Sequence, residues 1–167
     1  MPTAIAISVE EYLSTTYRPD CDYVDGEVLE RNVGEWDHSR LQTLLTRYLS
    51  NREAPWGIVV VTEQRVQVKA TRFRVPDITV VAAPASGAPI VREPPLLCIE
   101  ILSPDDRMGT MQERVDDYLA FGVPCVWVIN PQTRRGYMYT SDGMREAKDG
   151  ILRVANTLVE VPLADLA

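Results

Sequence analysis

The chain has 167 residues, 46% hydrophobic and 25% charged, enough for one domain with its own core and too apolar for a disordered chain. Seventeen basic against 24 acidic side chains leave a net charge of −7, a field that repels nucleic acid at long range. That disfavours a non-specific coating protein but not an enzyme whose carboxylates hold a metal against one phosphate. Apolar runs such as Ile58–Val61 and Val80–Ala83 are far too short to span a bilayer, so no membrane segment is expected. Met1–Ile7 lack the basic flank and long apolar stretch of a secretory signal. Cys21, Cys98 and Cys125 are odd in number without paired spacing, which argues against a disulfide scaffold or a zinc site and fits a reduced cytoplasm.

The first expected element is a short helix over about 9–15. Ser8 and Glu11 form a capping box, and Ile7 and Tyr12 stand where a hydrophobic staple would. Residues 20–31 read as a hairpin turning at Asp25–Gly26, where positive φ costs little. Over 37–52, Leu41, Leu44, Leu45, Tyr48 and Leu49 recur at helical spacing, and Pro55 and Gly57 end the helix. Then come strands over 58–62, 63–69 and 73–81, the last two forming an antiparallel hairpin about Ala70–Thr71. Pro84–Pro95, with four prolines and a glycine, is a loop.

Leu96–Leu102 is a continuous apolar strand broken only by Glu100, the pattern of a strand buried on both faces. A turn at Ser103–Asp106 leads to a helix over about 109–121 with Met111, Val115, Tyr118 and Leu119 facing inward, and Gly122 ends it. Cys125–Ile129 is a second buried strand, so 96–129 make a strand–helix–strand unit expected to be parallel. Residues 136–140 and 144–147 suggest a terminal hairpin, and 159–161 a last strand. The sum is one α/β domain over 1–167 with a mixed central sheet.

Two acids occupy unusual places. Asp77 follows Pro76 in an otherwise strand-like run, and Glu100 interrupts an apolar one. A carboxylate buried in a strand must be paired, protonated or bound to metal. One reading is structural ion pairing, with Arg74 or Arg107 as partner. The other is a shared cation site, with the Ile101 carbonyl as a third oxygen ligand for a hard cation such as Mg²⁺. Periodicity alone leaves both open.

Val75-Pro76-Asp77, then Ile99-Glu100-Ile101-Leu102-Ser103-Pro104, then the run Tyr118–Pro131 resemble the Uma-two family, restriction-endonuclease-like proteins of the PD-(D/E)XK superfamily. The likeness extends to Glu11-Tyr12-Leu13, the Tyr23–Glu27 hairpin and the helix carrying His38. It implies a restriction-endonuclease-like α/β core, with N-terminal and C-terminal hairpins and helices flanking the sheet. It also implies Asp77 and Glu100 as metal-binding carboxylates, Mg²⁺ or Mn²⁺ as cofactor, and hydrolysis of DNA phosphodiester bonds. A homodimer is expected, because one site cuts one strand.

The superfamily pattern wants a lysine two residues after the glutamate, and that position is Leu102. The resemblance places the equivalent residue on the following helix, where this chain has Arg114. An arginine there can stabilise phosphate charge but cannot act as a base; the alternative is a solvated flank charge. Lys69 and Lys148, the only lysines, are poor substitutes. If the hairpin turns at Ala70–Thr71, Asp77 faces Gln64, which makes Gln64 and Glu63 candidates for extra site groups against a plain strand role. His38, the only histidine, is either a half-buried helix residue or a supporting contact near a helix N-terminus. Glu27 and Glu35 carry the same ambiguity. Trp36, Trp56 and Trp127 read as packing. Two metal-free carboxylates at one spot should repel, raising at least one pKa, and neutralising both should cost little stability.

Two functions therefore compete: a metal-dependent endonuclease, and an inactive nuclease fold serving as a DNA-binding or dimeric interaction module. A metabolic enzyme has no support, since there is no phosphate-binding glycine loop, nucleophile elbow or Cys–His pairing.

Overall fold

The computed structural model describes residues 5–32 and 34–167; Met1–Ala4, part of the segment read for a secretory signal, and Val33 lie outside them. Helix α1 (Val9–Ser14) starts at Ser8, whose Oγ accepts the Glu11 N–H at 3.1 Å. Strands β1 (Asp22–Val24) and β2 (Glu27–Leu29) turn through Asp25 and Gly26, at φ 50° and 102°. Helix α2 (Trp36–Ser50) and the single-turn α3 (Glu53–Trp56) precede β3 (Ile58–Thr62), β4 (Val66–Lys69), β5 (Arg72–Arg74) and β6 (Ile78–Ala82). The chain continues with β7 (Leu97–Ile101), α4 (Met108–Phe121), β8 (Cys125–Ile129), β9 (Gly136–Thr140), β10 (Gly143–Glu146), β11 (Ile151–Arg153) and β12 (Glu160–Pro162).

The central sheet has six strands in the order β10-β9-β8-β7-β6-β3. Only β7 and β8 are parallel, joined through α4; every other neighbour is antiparallel. This is the expected mixed sheet flanked by helices, with hairpins towards both ends. On one face Leu41, Leu44, Leu45 and Leu49 of α2 pack on Ile78, Val80, Leu97 and Ile99, and Leu152 and Val161 of the β11–β12 hairpin extend the same core. On the other, Met111, Val115 and Tyr118 of α4 pack on Cys98, Val126 and Val128. Each fully buried aliphatic side chain contributes on the order of 1.5–3 kcal/mol.

A second sheet, β2-β1-β5-β4, lies between α1 and α4. Its apolar face carries Tyr23 and Phe73 against Tyr12. The opposite face sends Val66 and Val68 to the α4 core, together with Asp22, Arg72 and Arg74.

The run 73–81 is not one strand. It leaves the four-stranded sheet after Arg74 and enters the six-stranded one at Ile78. Pro76 has no N–H for a ladder, so the chain changes sheets at Val75-Pro76-Asp77. The 70–71 turn does join β4 to β5, but β6 pairs with β3 instead, Ile78 opposite Thr62. Trp127 is buried as expected, whereas Trp36 is 80% exposed, a correction to its packing role. All three cysteines are free and buried. Among the described residues no helix is long and apolar enough to cross a membrane.

Candidate functional site

The last paired residues of β6 and β7 are Ile78 and Ile99. Beyond them the ladder stops: Asp77 is a bend outside β6, and Pro76 before it has no N–H for a ladder, while Glu100 and Ile101 continue β7. The Ile101 N–H turns to Oδ2 of Asp77 at 2.7 Å. The N–H and C=O of one strand residue point to the same side, which directs the Ile101 carbonyl towards Asp77 as well.

Two further groups hold the Asp77 carboxylate. Arg31, in the segment between β2 and α2, donates Nη2–H to Oδ1 at 2.8 Å. His38, on the first turns of α2, sets Nε2 at 3.3 Å from Oδ2. Gln42, one turn on, donates to the Asp77 carbonyl at 3.0 Å, and so does the Glu63 N–H at 3.3 Å. Burial would lower the His38 pKa, but its hydrogen bond to Asp77 and that residue's charge outweigh burial and raise it.

Glu100, 1% exposed, projects to the α4 side. Oε1 accepts the Tyr118 hydroxyl at 2.6 Å, and Oε2 lies 3.7 Å from Nη1 of Arg114. Burial is the main cause pushing its pKa up, to about 7; the Arg114 charge opposes it and the Asp77 charge adds to it. Arg114 is thus no solvated flank charge, its side chain being 12% exposed. Its Nε lies 3.3 Å from Oδ2 of Asp22, in reach of charge attraction though not aligned for a hydrogen bond.

From Asp22 an alternating row of charges runs between the second sheet and α4. Asp22 meets Arg74 at 3.2 Å, Arg74 donates to Asp117 at 2.8 Å, and Asp117 accepts from Arg72 at 2.9 Å. Arg72 ends the row on Asp25 at the surface, at 2.7 Å. Asp22 also accepts the Val75 N–H at 2.9 Å, fixing the segment that leads into Asp77.

Asp77 thus gathers Arg31, the Ile101 N–H and His38, and Glu100 gathers Tyr118 and Arg114; the two acids touch no common side chain, though the charge of Asp77 acts on Glu100. Gln64 does not join them: its amide donates to the Pro89 carbonyl at 2.6 Å. The register expected for it fails because β6 pairs with β3, which puts Glu63 opposite Asp77. Glu63 itself, at φ 50°, contributes its backbone while its side chain is exposed. Glu27, exposed at the start of β2, is bonded to none of these groups. The partners of the two acids are Arg31 and Arg114, not Arg74 or Arg107. Arg31, Gln42 and Asp22 were missed; a polar residue in the short strand beginning at Asp22 was the one available signal.

A cleft of about 70 Å³ opens beside His38, lined by Glu35, Leu102, Ser103, Asn130 and Gln132. It lies past the carboxyl ends of the parallel strands β7 and β8, where open α/β sheets bind ligands. Among the described residues no three His, Cys, Asp or Glu side chains gather into a metal cluster.

The model of the Uma2 family, described as "Putative restriction endonuclease", matches residues 9–163. The chain belongs to the Uma2 family. A crystal structure described as "a putative nuclease belonging to DUF820 from Anabaena variabilis ATCC 29413" is similar to this Uma2 chain with a TM-score of 0.83. That likeness spans 96% of this chain and 97% of the other at 22% identity, which carries the fold alone. No curated protein matches the chain.

Proposed function

We propose that this Uma2 chain is a divalent-metal-dependent endonuclease that hydrolyses DNA phosphodiester bonds at Asp77 and Glu100. The observation that supports the reading is a pair of buried acids at the neighbouring ends of β6 and β7, near enough for the charge of Asp77 to raise the pKa of Glu100. The donor types suit a hard cation: two carboxylates, with the Ile101 carbonyl as a third oxygen. A cation already lies against Asp77, the Arg31 guanidinium at 2.8 Å, and the charge of Glu100 acts on it as well. Water and substrate oxygens would complete the shell, as is usual for Mg²⁺ or Mn²⁺. A bound dication supplies the positive charge that offsets charge building on the phosphate.

The chain's own residues have distinct parts in this reading. Asp77, Glu100 and the Ile101 carbonyl hold the cation. His38 and Gln42 orient Asp77 from α2, and Tyr118 orients Glu100 from α4. Arg114, permanently charged, attracts the phosphate and cannot accept the proton of the attacking water. A homodimer, one folding domain over the chain and a cytoplasmic setting belong to the same proposal.

The second reading, an inactive nuclease fold retained as a DNA-binding or dimeric module, has one observation in its favour: Arg31 already pairs with Asp77, with His38 beside it. Incubating plasmid DNA with the purified chain and Mg²⁺ or Mn²⁺ separates the two. The endonuclease reading predicts nicking or cutting that vanishes with chelator and in both Asp77→Asn and Glu100→Gln. DNA left intact with either metal supports the inactive module.

A further inference from the structure

Arg31 grips Asp77 differently from the other strongly paired arginines. Arg65 holds Asp20 with a two-point fork, Nε to Oδ2 at 2.8 Å and Nη2 to Oδ1 at 2.7 Å. Arg135 holds Glu146 the same way, at 2.7 and 3.0 Å. That fork is the strong form of an arginine–carboxylate pair. Arg31 touches Asp77 through Nη2 and Oδ1 alone, although its side chain is only 8% exposed. Its Nε is buried with no hydrogen-bond partner. Arg74 and Arg114 each leave one buried nitrogen unpaired too, but each reaches at least two carboxylates, whereas Arg31 is bonded to Asp77 alone.

The two oxygens of Asp77 are also unequal. Oδ2 is bound by the framework, through the Ile101 N–H of β7 and His38 of α2. Oδ1 is held by Arg31, which stands two residues past β2 in neither helix nor strand. Oδ1 is therefore the oxygen that can change partner without disturbing a strand or helix. Arg31 on Oδ1, His38 beside Oδ2 and Arg114 beside Glu100 are the cationic side chains already placed against the two acids. A dication would leave positive charge in excess, and a phosphodiester would offset part of it.

We propose that Arg31 is an exchangeable counter-ion: it neutralises Asp77 until a divalent cation takes Oδ1, and its freed guanidinium then binds a phosphate oxygen of the DNA backbone. The proposal rests on the metal reading above and adds to it a phosphate-binding residue and a coupling between metal and substrate. Coupling of this kind is reciprocal, so DNA must tighten metal binding as much as metal tightens DNA binding.

The test is Mn²⁺ binding by calorimetry to the full chain and to Arg31→Met, with and without a short phosphorothioate duplex. Without DNA, Arg31→Met should bind Mn²⁺ about fivefold more tightly than the wild type, because the competing cation is gone. The duplex should tighten Mn²⁺ binding to the wild type by about fivefold or more, and that gain should be absent in the variant. Equal Mn²⁺ affinity in the two proteins, or a duplex gain that survives in Arg31→Met, overturns the exchange and leaves the metal site standing. No Mn²⁺ binding to either protein overturns the metal reading and the exchange with it. Arg31→Lys, which keeps the charge without the fork, decides the matter if Arg31→Met does not fold: the duplex gain should fall by about fivefold or more, and an undiminished gain overturns the proposal.

Discussion

The Ile101 backbone N–H donates to the Asp77 carboxylate at 2.7 Å, so a side chain closes the strand end that Pro76 leaves open. Asp77 is therefore bound into the metal-free fold by this bond and by Arg31 and His38, whereas Glu100 sits under a desolvation penalty. The two acids should respond unequally to neutralisation, contrary to the expectation that losing both costs little. Asp77→Asn strands Arg31 as an unpaired buried charge and should lower stability by about 3 kcal/mol. Glu100→Gln, which can still accept the Tyr118 hydroxyl, should change it by less than about 1 kcal/mol at neutral pH. Urea denaturation of the two single variants in chelator checks both.

The raised pKa of Glu100 fixes a pH dependence. Its value in the fold is about 7 against an ordinary 4.5, so between these the folded state binds more protons than the unfolded one. Metal-free stability contributed by this group should fall as pH rises through that window and then flatten above about 7. Glu100→Gln should remove that component of the slope. Tyr118→Phe, which deletes a hydrogen bond that favours the charged form, should steepen it and cost about 1–2 kcal/mol above neutrality. Chemical denaturation from pH 5 to 8 in chelator gives the slopes.

The charge row between the second sheet and α4 should behave as one unit. Asp117→Ala leaves Arg74, 1% exposed, without its nearest acceptor and should cost about 3–5 kcal/mol. Asp25→Ala, at the exposed end of the row, should cost far less. Thermal unfolding of the single and double variants would show coupling between Asp117 and Asp22 and none between Asp117 and Asp149.

The apolar framework was legible in the sequence because it is periodic. The leucines of α2 and the unbroken runs of β7 and β8 name their faces, and the Asp25–Gly26 turn names its hairpin. Asp77 and Glu100 stood out because each breaks an apolar pattern. What could not be read was pairing across distance. Arg31 meets Asp77 across 46 residues and Arg74 meets Asp22 across 52, with no local pattern linking either pair. Fifteen of the 17 basic residues are arginines, which in the sequence reads only as a shortage of catalytic lysines. Their structural meaning is the buried charge row, where the planar guanidinium suits paired carboxylates. Gln64 was misplaced because a positive φ at Glu63 and the sheet change at Pro76 break the continuous strands that its register assumed.

Gly34 lies close against His38. A Cβ there would stand 3.1 Å from Nδ1 of His38 and 2.8 Å from Oγ of Ser39. Gly34→Ala should therefore displace the imidazole from Asp77, with a stability loss of about 1 kcal/mol. The histidine pKa should fall towards its ordinary value as its carboxylate partner moves away. Proton NMR of the single histidine reads that pKa directly.

The central claim, that Asp77 and Glu100 together hold a divalent cation, is tested most directly by calorimetric titration of Mg²⁺ or Mn²⁺ into the purified chain and into the Asp77→Asn/Glu100→Gln double variant. The account predicts saturable binding to one site per wild-type chain and no binding to a double variant that is still folded. No heat with the wild type, or undiminished binding by the double variant, would contradict it.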